Sequence, residues 1–181
     1  LYPHPLRPLW YYQAGTNAAT TSLEWALHLL GMSRSDAGYV ELDDLVSQVP
    51  PGANGLLFHP YLLGERAPYW SSRIRGGFSG LTLEHGRSAL LRAVQEGVAF
   101  SLRDCTALLD WEAVADVRLC GGGAKSYSWC RIIADVLNVP VAQMQQQDAS
   151  ALGAALLAVA GCEGVDLHLL AQATVSASVR I

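Results

Sequence analysis

The long amphipathic segment over residues 86–110 restricts the fold of this chain more than any other feature of its sequence. Apolar side chains recur there at steps of three and four residues, which is the spacing of one helix face. They are Leu90, Leu91, Val94, Val98, Leu102, Cys105, Leu108 and Leu109. A helix of about 24 residues is about 36 Å long, enough to cross a whole domain. Gly97 lies inside it, where glycine costs about 1 kcal/mol relative to alanine, so we expect a close crossing with another element there.

Shorter elements are predicted on both sides of this helix. Before it we expect a strand over 9–13, helices over 16–30 and 40–49, and a strand-like run over 55–63, with Gly31 ending the first helix. After it we expect strands over 117–120 and 138–141, a helix over 126–137, and a helix over 151–160 that Asp148 or Ser150 caps. The tail after residue 164 has no clear pattern. Strands that alternate with long helices indicate an α/β layer architecture.

The composition favours one acidic domain and argues against two classes of protein. The chain has 181 residues, which suits a single domain over 1–181. Its net charge is −4 and its basic residues are scattered, so nucleic acid is not an expected partner. No apolar run reaches the ~18 residues that cross a bilayer, and the first residues do not resemble a signal peptide, so no membrane association is expected.

The cysteines and histidines argue against a metal site. Cys105, Cys120, Cys130 and Cys162 form no CxxC pair, and the five histidines are isolated. We therefore expect buried thiols in a reducing, cytoplasmic compartment and no metal held by this chain's side chains. Hydrophobic residues make up 51% of the chain and charged residues 15%, which favours a face that contacts a partner lobe. A core rich in alanine and leucine explains about half of that excess.

The segment over 117–137 carries the clearest candidate binding feature, a strand followed by three glycines and a helix. Glycines allow the main chain to approach a ligand closely. The helix directs unpaired N–H groups and a partial positive charge at the turn, which contributes about 0.3–1 kcal/mol per anionic group. The segment matches neither the Walker loop, which needs glycine directly before Lys125, nor the GxGxxG dinucleotide fingerprint. A tight turn without a ligand is the alternative.

Further segments, spread in order over about residues 9–161, carry a family resemblance. The first runs from Gly55-Leu56-Leu57-Phe58 and Pro60-Tyr61-Leu62-Leu63 through Gly64-Glu65-Arg66-Ala67-Pro68 to Trp70, Arg75-Gly76, Phe78 and Gly80-Leu81. It continues through His85, Leu90, Arg92-Ala93-Val94, Glu96-Gly97-Val98-Ala99-Phe100 and Arg103. The glycine turn, Ala134-Asp135-Val136-Leu137, Pro140-Val141 and Ala151-Leu152-Gly153-Ala154-Ala155 complete it. Together these segments resemble the FGGY family of carbohydrate kinases.

The resemblance implies a fold and a ligand. Members of this family have two lobes of ribonuclease H-like, actin-type fold that close on ATP and a sugar or polyol. We therefore expect an α/β lobe with a mixed β-sheet flanked by helices. Gly122, Gly123 and Ala124 correspond to the family's nucleotide turn, and Ser126 lies near the position that touches adenine. Thr20 falls in a second nucleotide-facing segment, where many relatives carry glycine.

The resemblance also implies a reaction and its partners. The expected reaction is transfer of the γ-phosphoryl group of ATP to a sugar or polyol hydroxyl, with Mg²⁺ held mainly through the phosphates and the N-terminal lobe. Residues 64–68 look closer to xylulose and gluconate kinases than to glycerol kinases. The family's catalytic aspartate and most sugar contacts lie in an N-terminal lobe, which has no counterpart before Leu1. We therefore expect that lobe as a partner, no catalytic residue here, and no phosphorylation by this chain alone.

The segment over 18–21 and the loop over 64–70 leave alternatives open. Alanine and threonine at 18–21, where relatives carry glycine, favour a degenerate, non-catalytic lobe that serves in dimerisation or regulation, with a homodimer as the partner. In the loop, Glu65 and Arg66 are expected to pair and brace it rather than to act in catalysis. Tyr69 and Trp70 are expected to pack within the loop rather than to stack on a sugar.

Overall fold

The computed structural model describes residues 1–6, 8–107, 109–146 and 148–181. In these ranges the chain forms six α-helices, α1 Ala19–Leu29, α2 Asp36–Ser47, α3 Arg87–Cys105, α4 Tyr127–Leu137, α5 Ala149–Glu163 and α6 Leu167–Thr174. The same ranges contain seven strands, β1 Tyr2–Pro3, β2 Trp10–Tyr11, β3 Leu57–His59, β4 Gly77–Ser79, β5 Val117–Leu119, β6 Val141–Met144 and β7 Ala177–Arg180. The hydrophobic core lies between helices α1 to α4 and the strands β3 and β6.

Helix α3 is the central element of this core, as its periodicity predicted. Leu91, Val94 and Val98 are buried on the face that packs against α1, α2, α4 and β3. The helix ends at Cys105 rather than at 110, because the next residue leaves the helical conformation with φ −109° and ψ 12°. Leu109 therefore lies beyond the helix, and Leu108 lies outside the described residues.

Gly97 confirms the predicted close crossing. A Cβ atom on Gly97 would overlap the backbone carbonyl oxygen of Phe58 in β3, and it would lie 3.2 Å from the Phe58 Cβ. Only glycine fits at this position, because the helix packs directly on the main chain of the strand. Phe58 is buried and stacks on Trp25 of α1, with ring centroids 5.8 Å apart. The crossing therefore fixes α1, α3 and β3 relative to one another.

A mixed three-stranded sheet organises the second half of the chain. Its central strand β6 pairs in parallel with β5, with Val117 opposite Val141, and antiparallel with β7, with Ala142 opposite Arg180. The order β5–α4–β6 places the glycine turn at the carboxyl end of a parallel strand, which is where ligands bind in α/β sheets. Strand β7 and helix α6 come from the tail, for which the sequence predicted no element.

Local capping interactions account for two of the differences between predicted and observed boundaries. Helix α2 starts at Asp36 rather than at 40, because the Ser35 side chain caps it. Strand β6 starts at Val141 rather than at 138, because Asn138 ends α4 with a φ of 56°. In the 55–63 run, only Leu57–His59 forms a strand, and it pairs with β4.

Helix α5 begins behind Asp148, whose carboxylate accepts a hydrogen bond from the Ala151 N–H at 2.9 Å. One of the two predicted caps is therefore confirmed. No residue of α5 is buried, and the side chains of Leu157 and Val159 are 47% and 43% exposed. Within the described ranges, no helix combines the length and the apolar character needed to cross a membrane.

Candidate functional site

The glycine turn connects β5 to α4. Gly121 has a φ of 85°, a left-handed conformation that residues with a side chain rarely adopt. A 3₁₀ turn over Gly122–Lys125 follows, and Ser126 caps α4. At Gly122, a Cβ atom would have no neighbouring atom within 4 Å. The main chain at Gly122 therefore faces open space.

A cavity of about 180 Å³ lies between this turn and the start of α1. Thr20 of α1 lines it together with Gly122, Gly123 and Ala124, so four predicted site residues lie at one cavity. The Thr20 Oγ1 atom lies 3.4 Å from the position that a Cβ on Gly123 would occupy. The cavity also has apolar lining residues, which include Val98, Leu102, Leu119, Trp129 and Ile133. Tertiary packing therefore joins two segments that are far apart in the sequence.

Gly123 is required by the packing of the turn itself. A Cβ atom on it would lie 2.9 Å from Cζ3 of the Trp129 ring, which is closer than real side chains approach. Trp129 is buried and donates a hydrogen bond from Nε1 to the Gln95 carbonyl oxygen at 3.2 Å. The indole therefore cannot move aside easily, and the absence of a side chain at Gly123 does not by itself indicate a ligand.

Ser126 is the predicted site residue that the structure does not bring to the cavity. Its hydroxyl accepts a hydrogen bond from the Trp129 N–H at 3.2 Å and donates one to Asp43 Oδ1 at 2.6 Å. The side chain is buried, because a capping residue turns its hydroxyl back onto the first turn of its own helix. Lys125, between the turn and this cap, is exposed.

Ala124 is held from the opposite side of the turn. Its carbonyl oxygen accepts a hydrogen bond from the Gln143 side-chain amide on β6, and the Cys130 Sγ donates to the same oxygen at 3.4 Å. Burial, and to a smaller extent the Asp43 carboxylate, raises the pKa of the Cys130 thiol to about 11. Cys130 therefore stays a neutral thiol beneath the turn at physiological pH.

Asp43 and Gln143 support the turn, and sequence reasoning missed both. Asp43 lies on α2, next to the buried Leu42, and its sequence context does not distinguish it from a solvent-facing carboxylate. Gln143 lies in β6 and reaches a residue 19 positions away along the chain. Neither residue belongs to a motif, so no local signal could have identified it.

The 64–70 loop is tied to the segment that leads into α1. The buried Glu65 carboxylate accepts hydrogen bonds from Thr16 Oγ1 at 2.6 Å and from the Asn17 N–H at 2.9 Å. It also accepts one from the Arg66 backbone N–H at 2.7 Å. The predicted pairing of the Glu65 and Arg66 side chains is wrong. In this extended segment, neighbouring side chains point to opposite sides, so Glu65 is buried and Arg66 is exposed.

The two aromatic residues of this loop differ in their packing. The Tyr69 ring contacts Tyr61 edge to face, with centroids 5.7 Å apart, and its hydroxyl donates to Asp104 Oδ2 at 2.9 Å. That hydrogen bond is the main cause that raises the pKa of Tyr69. Trp70 is 78% exposed, so the prediction that it packs within the loop is wrong.

Comparison with known proteins identifies relatives over most of the chain. A family described as the FGGY family of carbohydrate kinases, C-terminal domain, matches residues 1–162. The xylulose kinase of Bacillus subtilis is 37% identical over 162 residues, which cover 88% of this chain and 32% of that protein. The gluconokinase of Bacillus licheniformis is 38% identical over 132 residues, which cover 71% of this chain and 26% of that protein. The ligand-bound crystal structure of xylulose kinase from Lactobacillus acidophilus superposes with a TM-score of 0.77 at 30% identity, covering 91% of this chain and 34% of that one.

The mixed sheet, its flanking helices and this structural neighbour define an α/β lobe of the ribonuclease H-like, actin-like ATPase fold. The chain belongs to the FGGY family of carbohydrate kinases and corresponds to the family's C-terminal domain. It spans about a third of the length of the curated relatives that it matches. The family expected from the sequence is therefore confirmed.

Proposed function

We propose that this chain is the nucleotide-binding half of an ATP-dependent carbohydrate kinase. In the whole enzyme, the γ-phosphoryl group of ATP is transferred to a hydroxyl of a sugar or polyol of the xylulose or gluconate type. The names of the relatives, xylulose kinase and gluconokinase, support this substrate class. The nucleotide role rests on Gly122. Its main chain has no side chain to shield it and faces a cavity that Thr20 lines from the other side.

The turn suits a phosphate group for electrostatic reasons. The first N–H groups of a helical turn have no partner within that turn. Here they precede α4, whose dipole favours an anion at this end, and the Asp43 carboxylate at the first turn of α4 already offsets part of that effect. Each such contribution is about 0.3–1 kcal/mol, so this lobe alone binds a nucleotide weakly. Tight binding and the transfer itself require the N-terminal lobe, which in this proposal supplies the catalytic aspartate and most sugar contacts.

Magnesium is assigned to the phosphates and to the N-terminal lobe. Among the described residues, no three acidic, histidine or cysteine side chains gather where they could hold a metal ion.

The exposed apolar side chains of α5 support a contact between this chain and the N-terminal lobe of the same protein. We place the enzyme in the cytoplasm, because Cys105, Cys120, Cys130 and Cys162 are all free thiols.

Titration calorimetry with ADP tests the nucleotide role. Gly122→Val places a side chain in the open space at the turn without a clash, so the fold is expected to survive. Gly77→Val is the matched control, because Gly77 lies in strand β4 and also has no neighbour within 4 Å. We expect Gly122→Val to weaken ADP binding by at least about tenfold and Gly77→Val to leave it unchanged. Equal affinity of the two variants would refute the proposal.

Gly123 is unsuitable for this test because valine there would displace Trp129 as well as any ligand.

A second function, a non-catalytic lobe that serves in dimerisation or regulation, is favoured by the size of the cavity. About 180 Å³ is less than the ~300 Å³ at the lower end of small-molecule sites, and the Thr20 side chain narrows it further. A wild-type chain that gives no heat with millimolar ADP but sediments as a dimer would favour this second function.

A further inference from the structure

We propose that Asp43 is a positioning residue that holds the glycine turn in its nucleotide-binding geometry. This inference rests on the proposed function. Asp43 Oδ1 accepts hydrogen bonds from Ser126 Oγ and Ser128 Oγ, both at 2.6 Å, and Oδ2 accepts one from the Tyr127 N–H at 3.2 Å. These three donors are the cap and the first two residues of α4. A carboxylate from another helix therefore holds the whole N-terminal end of α4.

The contact reaches the glycine turn through a short chain of fixed groups. Because Ser126 Oγ donates to Asp43, its lone pair is free to accept from the Trp129 N–H. Trp129 in turn packs under Gly123, at a distance that leaves no room for a side chain. Displacement of Asp43 therefore frees the Ser126 hydroxyl and loosens the first turn of α4, to which the glycine turn is joined, while the buried indole stays hydrogen-bonded to the Gln95 carbonyl oxygen.

The charge of Asp43 is also favourable at this position. A negative charge within the first turn of a helix interacts with the positive end of its dipole, and this interaction adds to the hydrogen bonds. Asp43 is partly buried between α2 and α4, where solvent screens it less than at an exposed site. On the other side of the turn, Gln143 holds the Ala124 carbonyl oxygen, so the turn is clamped between α2 and β6.

The neighbouring Asp44 provides a matched control. Both residues lie on α2 and line the same groove of about 580 Å³ between α2 and α4. Asp44 is exposed, and within the described part of the chain its carboxylate makes no hydrogen bond to α4. Replacing either residue by alanine removes one negative charge from the same helix. Only Asp43→Ala also removes the hydrogen bonds that support the turn.

The first measurement is the affinity of the chain for ADP. We expect Asp43→Ala to weaken ADP binding by about tenfold and Asp44→Ala to change it by less than about twofold. Asp43→Asn retains one acceptor oxygen and the side-chain volume, so it is expected to give an intermediate loss of about threefold. If wild type binds ADP and Asp43→Ala binds it equally well, the inference is wrong and the proposed function stands.

The second measurement probes the conformation of the turn in the absence of a nucleotide, through the reactivity of nearby cysteines. Cys120 lines the cavity next to the turn, Cys162 is exposed on α5, and Cys130 is buried under the turn. Reaction with a maleimide, followed by mass mapping of peptides, gives a rate for each cysteine. In Asp43→Ala we expect the Cys120 rate to change by about threefold or more relative to Asp44→Ala, while the Cys162 rate is unchanged.

The combined outcomes separate the two proposals. If Cys120 and Cys130 react in Asp43→Ala at rates that the global unfolding free energy, measured in urea, accounts for, Asp43 serves global stability only and the inference is overturned. If wild type gives no heat with ADP, the proposed function fails. A selective change at Cys120 would then still support Asp43 as the residue that holds the turn, and equal Cys120 rates in the two variants would refute it.

Discussion

The crossing of α3 over β3 at Gly97 makes a sharp prediction about stability. In Gly97→Ala, the added methyl group overlaps the Phe58 carbonyl oxygen, and this oxygen belongs to the main chain of a strand paired with β4. A flexible side chain could move aside, but a paired strand cannot do so without losing hydrogen bonds. We therefore take the upper part of the range for overpacking, about 3 kcal/mol of lost unfolding free energy. Alanine recovers about 1 kcal/mol through its better helix propensity.

The net expectation for Gly97→Ala is a loss of about 2 kcal/mol, which corresponds to a melting temperature lower by about 4–8 °C for a chain of this size. Gly153→Ala is the control, because Gly153 lies inside α5 and a Cβ there would have no neighbour within 4 Å. It is expected to gain up to about 1 kcal/mol, or about 2–4 °C. Scanning calorimetry and urea unfolding measure both variants. If Gly97→Ala is stabilised like Gly153→Ala, the helix does not pack on the strand as closely as described.

Two further predictions concern buried ionisable side chains. The pKa of Cys130 is raised from 9.0 to about 11. The stability that the neutral, buried thiol contributes is therefore fully present below about pH 9 and is lost as the pH rises towards 11. Urea unfolding of wild type and Cys130→Ala at pH 7.5 and 10.5 should show that the stability advantage of wild type shrinks by about 2 kcal/mol, and parallel pH dependences would contradict this. Glu65→Ala leaves three donors without their buried acceptor and should lower the unfolding free energy by about 3 kcal/mol, whereas Glu65→Gln should lower it by about 1 kcal/mol. Equal losses in the two Glu65 variants would show that the hydrogen bonds are not what the side chain contributes.

The sequence alone determined the features that depend on local periodicity and local chain geometry. The buried face of α3, the glycine that admits β3, and the cap at Asp148 were all predictable, because helix period, close packing and capping act within a few residues. The strand–glycine–helix order of the turn was predictable for the same reason. The family resemblance predicted the fold, and the comparisons confirm that prediction.

Only the tertiary structure decided how the turn is supported and which predicted residues meet at it. Thr20 meets Gly123 across a cavity, Asp43 reaches Ser126 from another helix, and Gln143 reaches Ala124 from a strand. Each of these contacts joins side chains from elements that are adjacent only after the core has packed. No local pattern records such an adjacency, since a polar residue on a helix has the same sequence signature whether it faces water or a neighbouring helix.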